Sequence, residues 1–170
     1  CKDSIFRLAG SSVSDFVLQP VARNIGCLSR FSIQEIGGDL IYLAPDGLRT
    51  VAGTEKIGDT ELGTISKQVQ ARLNGLSANQ ISNISSLVIK SKSQYRLFYP
   101  TSGDTAAVSL GLAAVLKRSL QTGQVAWEYA DIKGIKPSCA AFGEISNVEK
   151  VLHGGFDSGY VFQQESGVDF

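Results

Sequence analysis

Three segments of the chain share one layout of strand, polar turn with Asp and Gly, and second strand: DLIYLAPDGLRTV from residue 39, SQYRLFYPTSGDTAAVSL from residue 93 and VLHGGFDSGYVFQQESG from residue 151. Their turns fall near Asp46, Asp104 and Asp157, so the layout recurs after 58 and then 53 residues. A four-stranded antiparallel sheet cannot bury both faces alone, and stacking such sheets radially solves this while leaving only short edges. Blade repeats run to about 40–50 residues, and a helix inserted after the first hairpin accounts for the longer first interval. A β-sandwich would instead place strands every 8 to 12 residues without a superperiod. The chain is therefore expected to be all-β, a partial β-propeller of two to three antiparallel blades from a larger ring, with one short surface helix. We expect a single domain over 1–170, with blade boundaries near 38, 86 and 147. Two or three blades do not close a ring. The chain also begins CKDSIFRLAG, contains no Met and ends FQQESGVDF, so it reads as an internal fragment.

Period-2 runs closed by turn residues mark the other strands. They are Ser4 to Ala9, Phe16 to Gln19, Arg30 to Ile36, Leu87 to Lys90, Tyr95 to Tyr99, Ala107 to Leu120, Gln124 to Tyr129, Val148 to His153 and Tyr160 to Gln163. One segment breaks the period. Leu62, Ile65, Val69, Leu73 and Leu76 recur every three or four residues after Gly58-Asp59-Thr60, with Asp59 or Thr60 as N-cap and Gly75 near the end. That spacing predicts a surface helix over about 61–75, with Lys67, Gln68, Gln70 and Arg72 outward. Its polar face carries no dense basic run, so it reads as cover for a sheet edge.

With 16 basic and 16 acidic residues, the chain has no net charge to attract nucleic acid or an anionic membrane. The longest apolar stretch, Val108 to Leu116, ends at Lys117-Arg118 and is about half of what a membrane span needs, so it reads as a buried strand. Cys1, Cys27 and Cys139 are odd in number and widely spaced, with a single His153, which excludes a conventional zinc site and argues against a disulfide framework. They read as core thiols or as the mark of a reducing compartment.

Catalysis needs a base held beside a nucleophile or a second carboxylate. His153, in KVLHGGFDSG with Asp157 four residues on, could form a His-Asp pair, but no Gly-x-Ser-x-Gly elbow or other nucleophile context exists, so it reads as a strand-end His beside a turn Asp. Asp39, Asp46, Glu55, Asp59, Glu61 and Asp104 invite a metal or glycosidase reading. Most sit at turns, where Asp caps backbone N–H groups. No calcium-loop spacing and no phosphate loop occur. Lys90, Lys92 and Arg96 mix with Tyr95, Phe98 and Tyr99 as in a single-strand binder, yet Tyr95, Leu97 and Tyr99 fall on one face of a strand and Arg96 and Phe98 on the other. A half-buried strand explains them. No catalytic, cofactor-binding or metal residue is assigned, and no cofactor is expected.

The order of motifs resembles the hub or nozzle β-propeller of short-tailed bacteriophage tails, the family that includes tail tubular protein B and the packaged-DNA stabilisation proteins. The matching positions are Leu8 with Gly10, Gly26 with Cys27, Ser32 with Ile33, Asp39 to Arg49, Thr54 with Glu55, and Ile65-Ser66-Lys67. KSQYRLFY at 92–99, AWEYADIKGIKPSCAAFGE at 126–144 and the segment 149–170 continue it over almost the whole chain. The third turn departs from it, reading Asp157-Ser158-Gly159 in place of Asp-Gly.

The resemblance implies a structural virion protein, not an enzyme, assembled in the host cytoplasm into the tail. It implies a homo-oligomeric ring, six-fold in symmetry, that meets a tail adaptor or portal-proximal protein and the tail fibres. Such a ring seals the packaged genome and conducts double-stranded DNA during ejection, without a stable nucleic-acid site. A neutral β scaffold suits a conduit, since a strongly basic lining would hold the passing phosphates. The alternative is a glycan-binding or glycan-cleaving propeller, which would gather carboxylates such as Glu55, Asp59 and Glu61 in one pocket. A repeat scaffold of the Trp-Asp type is a third reading, but Trp127 is followed by Glu128.

Overall fold

The computed structural model describes residues 2–57, 64–100, 109–118, 125–135, 137–155 and 158–166. Asp59, Thr60, Glu61, Leu62, Asp104 and Asp157 lie outside the described residues. The described chain is mostly β, in four small antiparallel sheets, and none of them closes on itself. It divides into two compact units, Cys1–Ile33 with Gly38–Gly75, and Gln34–Gly37 with Leu76–Phe170, where the sequence reading holds a single domain.

In the first unit, strand β1 (Ser4–Ala9) pairs with β2 (Val17–Arg23). The connection is knotted by Asp15, whose carboxylate accepts hydrogen bonds from the Ser11 and Ser12 N–H groups at 3.1 and 2.6 Å and from both hydroxyls. Gly10 sits at φ 135°, and a Cβ there would lie 2.7 Å from the Asp15 carbonyl oxygen, so only glycine fits. Strands β4 (Asp39–Ala44) and β5 (Gly47–Thr50) form a hairpin around Pro45 and Asp46, with Ala44 opposite Gly47. Both faces of β4 are covered: Ile41, Tyr42, Leu43 and Ala44 are all buried, as is Leu48 on β5. This is more complete burial than an alternating hairpin implies.

Helix α1 (Val51–Ile57) follows β5 directly. Thr50, the residue before it, caps the helix, its Oγ1 accepting the Gly53 N–H at 3.2 Å, and Asp39, 13 residues upstream, also accepts the Ala52 N–H at 3.1 Å. The helix expected over 61–75 differs in the described residues. Thr64 bridges Arg49, the Ile65 N–H donates to the Leu48 carbonyl at 2.9 Å, and Ser66 Oγ accepts the Leu48 N–H at 2.8 Å. These bonds tie 64–66 to β5 without helix, since Ser and Thr side chains offer the backbone an alternative to helix. A 3-10 turn then runs Lys67–Val69, and α2 is only Gln70–Asn74. Likewise Arg30–Ser32 is a 3-10 turn and not strand, because Ser32 Oγ donates to the Ser29 carbonyl at 2.6 Å and accepts the Leu43 N–H at 3.0 Å.

The second unit holds β3 (Gln34–Ile36) and α3 (Ala78–Ser82), the latter opened by a reciprocal Ser77–Gln80 capping box. Then come two meanders. Strands β6 (Ser85–Ile89), β7 (Gln94–Pro100), β8 (Ser109–Arg118) and β9 (Val125–Ile132) pair in sequence order. Strands β10 (Pro137–Ile145), β11 (Val148–Gly155) and β12 (Val161–Gln164) do the same. The last of these sheets starts at Pro137, and its β10 joins β11 through Ser146-Asn147. Both turn residues have positive φ, 52° and 59°, the geometry of a tight two-residue hairpin.

One face of the four-stranded sheet, with Leu87, Ile89 and Phe98, packs on Val151 of β11 and on Ala140 and Phe142 of β10. Strand β7 is covered on both faces, with Tyr95, Arg96, Leu97, Phe98 and Tyr99 all buried. The half-buried strand expected there is therefore a central one. No helix among the described residues is long and apolar enough to cross a membrane.

Candidate functional site

Polar side chains inside a β scaffold must find partners, and the pattern of pairing shows which of them are committed to structure. Asp46 is the clearest case. Its carboxylate accepts Arg49 Nε at 2.9 Å and Arg49 Nη2 at 2.5 Å, and Thr64 Oγ1 donates to it at 2.7 Å. Arg49 is 2% exposed. Burial pushes the Asp46 carboxyl up, but the hydrogen bonds from Arg49 and Thr64 and the guanidinium charge outweigh it and hold it below the usual carboxylate range. Asp46 is thus more than a turn residue: it neutralises a buried cation.

The other candidate carboxylates are dispersed. Asp39 caps Leu40 and Ala52, and Glu55 lies 3.5 Å from Arg7 on the surface. Asp59, Glu61 and Asp104 lie outside the described residues. Among the described residues no group of three His, Cys, Asp or Glu side chains could hold a metal ion. Cys27 is half-buried, its thiol donating to the Ser29 carbonyl at 3.0 Å, whereas Cys139 is exposed on β10, so the core-thiol reading does not extend to it.

The basic and aromatic residues of 90–99 separate in space. Lys90 and Lys92 are exposed on a 3-10 turn, while Tyr95, Phe98 and Tyr99 are interior and offer no stacking platform. Arg96 is buried in a polar cluster that joins β7 to β12. Its Nη1 donates to Gln164 Oε1 at 2.8 Å, its Nε to Gln94 Oε1 at 2.6 Å, and its Nη2 pairs with Glu165, which also takes Lys92 Nζ at 2.5 Å. His153, 8% exposed, stacks on Phe162 at 5.3 Å, and its Nδ1 lies 3.3 Å from Gln164 Nε2. It sits within β11 as a buried base, and Asp157 lies outside the described residues.

Each unit has an open hollow. One of about 340 Å³ is bordered by Gln34, Glu35, Ser86, Lys90, Ala140 and Phe142; one of about 180 Å³ is bordered by Ile5, Phe6, Cys27, Leu40, Tyr42 and Val51. No protein-family model matches the chain, and no curated protein is significantly similar to it.

What the surface does offer is an uncovered apolar face. The β1–β2 register sets Phe6 opposite Pro20 and Leu8 opposite Leu18, so these four share one face. Phe6, Leu8 and Leu18 are 47%, 61% and 63% exposed. On the other face Arg7 donates to Gln19 at 3.2 Å, beside the Ala9–Val17 pair. A two-stranded ribbon alone is marginal in water, so an apolar face of this kind calls for cover.

The Asp15 knot yields a direct pH prediction. Its hydrogen bonds, led by those from the Ser12 and Ser11 N–H groups, lower its carboxyl from 3.8 to about 2. A carboxyl whose folded value is depressed supports the folded form above its unfolded value and loses that support as pH falls through the folded one. Carbon NMR should therefore find Asp15 ionised down to about pH 2, with the Ser11 and Ser12 amide shifts moving on the same curve; a titration in the ordinary Asp range would contradict the knot.

Proposed function

We propose that the chain is part of a structural virion protein of a bacteriophage tail, contributing blades to a hub or nozzle ring that seals the packaged genome and conducts it during ejection. The supporting observation is the packing in the second unit: a four-stranded meander in strict sequence order sets Leu87, Ile89 and Phe98 of one face against the first two strands of the meander that follows. Consecutive meander sheets stacked face to face are how propeller blades bury their faces. The uncovered β1–β2 face suits heterologous contact between neighbouring copies in a ring. The nearly complete internal pairing of Asp46, Arg49, Arg96 and Glu165 suits a scaffold that does no chemistry.

On this reading the partners are neighbouring copies, six in a ring by the resemblance, with an adaptor or portal-proximal protein and tail fibres above and around them. Double-stranded DNA passes without a fixed site, and the protein resides in the virion tail after assembly in the host cytoplasm. Electron microscopy of the purified protein tests this. Closed rings of uniform size are expected; lone disc-shaped monomers at all concentrations would overturn the ring.

A further inference from the structure

We propose that His153 acts as a proton-sensitive clasp, holding the edge strand β12 to the fold at neutral pH and releasing it on acidification. The inference rests on the polar cluster alone and stands apart from the tail reading. Arginine has donors only, so Arg96 Nη1, 2.8 Å from Gln164 Oε1, fixes the amide with its oxygen toward Arg96. Gln164 Nε2 then faces His153 Nδ1 at 3.3 Å as a donor. The acceptor must be an unprotonated Nδ1, which places the single ring proton on Nε2. A second proton on Nδ1 would set two donors against each other and add a cation beside the one that Arg96 already carries.

The groups around the ring reinforce this direction. From β7 comes Arg96; from the turn before it, Lys92; from β12, Glu165, which both cations engage. On β10, Ala140 is opposite His153, while Cys139 is opposite Gly154, with its sulfur 2.9 Å from where a Gly154 Cβ would stand, on the other face. Among the described residues Glu165 is the carboxylate that this cluster holds. Burial raises its carboxyl, but Lys92 and Arg96 outweigh that and keep it below the usual range, so it is already ionised and paired where imidazole titrates. Burial lowers the His153 value as well. A base with a depressed folded value supports the fold fully above its ordinary range and loses that support as pH falls through it. The weak point is β12, four residues long, paired on one side only, with Val161, Phe162 and Gln163 exposed.

His153 is the only imidazole in the chain, so its NMR titration is read without ambiguity. Amide hydrogen exchange across pH ~7.5 to ~5 should show Val161 to Gln164 losing protection at least ~10-fold beyond the intrinsic rate change, along the His153 titration curve, while β7 keeps its protection. His153→Asn keeps an acceptor near the Nδ1 position but cannot titrate, and its β12 protection should stay flat. Gln164→Glu puts an acceptor where the donor was, so acidification should now tighten β12 and the imidazole should titrate higher than in the parent. Equal β12 protection across the pH range in the parent protein would overturn the clasp. So would loosening at the same pH in His153→Asn, which would assign the effect to a carboxylate such as Glu165.

Discussion

Replacing Asp46 by alanine should destabilise the protein by about 3 kcal/mol, the lower end of the cost of stranding a buried charge. Arg49 is 2% exposed and has its guanidinium braced by Asp46 through two nitrogens. Removing the carboxylate leaves a cation in a site from which water cannot easily recover it. The Asp46 side chain is itself 30% exposed, so solvent screens part of the loss and the upper end of that range does not apply. The same change orphans the Thr64 hydroxyl, which ties residue 64 to the β4–β5 turn. Asp46→Asn keeps one acceptor oxygen and should cost about half as much. Replacing Asp46 by Asn and Arg49 by Met together should recover most of the loss, because the uncompensated charge is gone. Urea unfolding midpoints measure all three. A midpoint for Asp46→Ala within the range of an ordinary surface substitution, about 0.5 kcal/mol, would mean that Arg49 finds equivalent solvation elsewhere.

Asp46 also shows how far the sequence could be read. Pro45-Asp46-Gly47 marks a turn, and β4 and β5 are where it places them. The Arg49 pairing three residues on could not be read from that turn, because it depends on Thr64 returning to β5 and sealing the site. The same contact takes Thr64 to Ser66, within the helix expected from Leu62, Ile65 and Val69, onto β5 instead. A 3.6 period there is real, but Ser66 and Thr64 spend their hydroxyls on β5 and Asp46. Helices α1 and α3 both went unread although each carries a local cap, Thr50 on the Gly53 N–H and the Ser77–Gln80 capping box, because both are too short to show a 3.6-residue period. With Gln94 and Arg96 on one face, QYRLFYP reads as a half-buried strand, and only the structure shows it covered on both sides with its one charge, Arg96, partnered inside. Those partners, Gln164 and Glu165, lie 68 and 69 residues away, beyond any local pattern.

Phe98→Ala should have the other large effect, about 3–5 kcal/mol, the usual cost of deleting a buried phenyl ring. Phe98 is 1% exposed and stands in the face where Leu87 and Ile89 meet Val151, with Phe142 and Ala140 behind. The void would open between two sheets whose backbones are each fixed by their own hydrogen-bond ladders, so neither can collapse to fill it. Phe98→Leu keeps most of the volume and should cost less than half as much. The informative comparison is Phe98→Ala with Val151→Ala, singly and together. If the two sheets are held to each other through this face, the pair should couple by about 1 kcal/mol, the second truncation costing less once the first has opened the interface. Additive losses would mean that each residue is buried only within its own sheet. The stacking of consecutive meanders, on which the blade reading depends, would then lose its energetic basis even if the strand order stood.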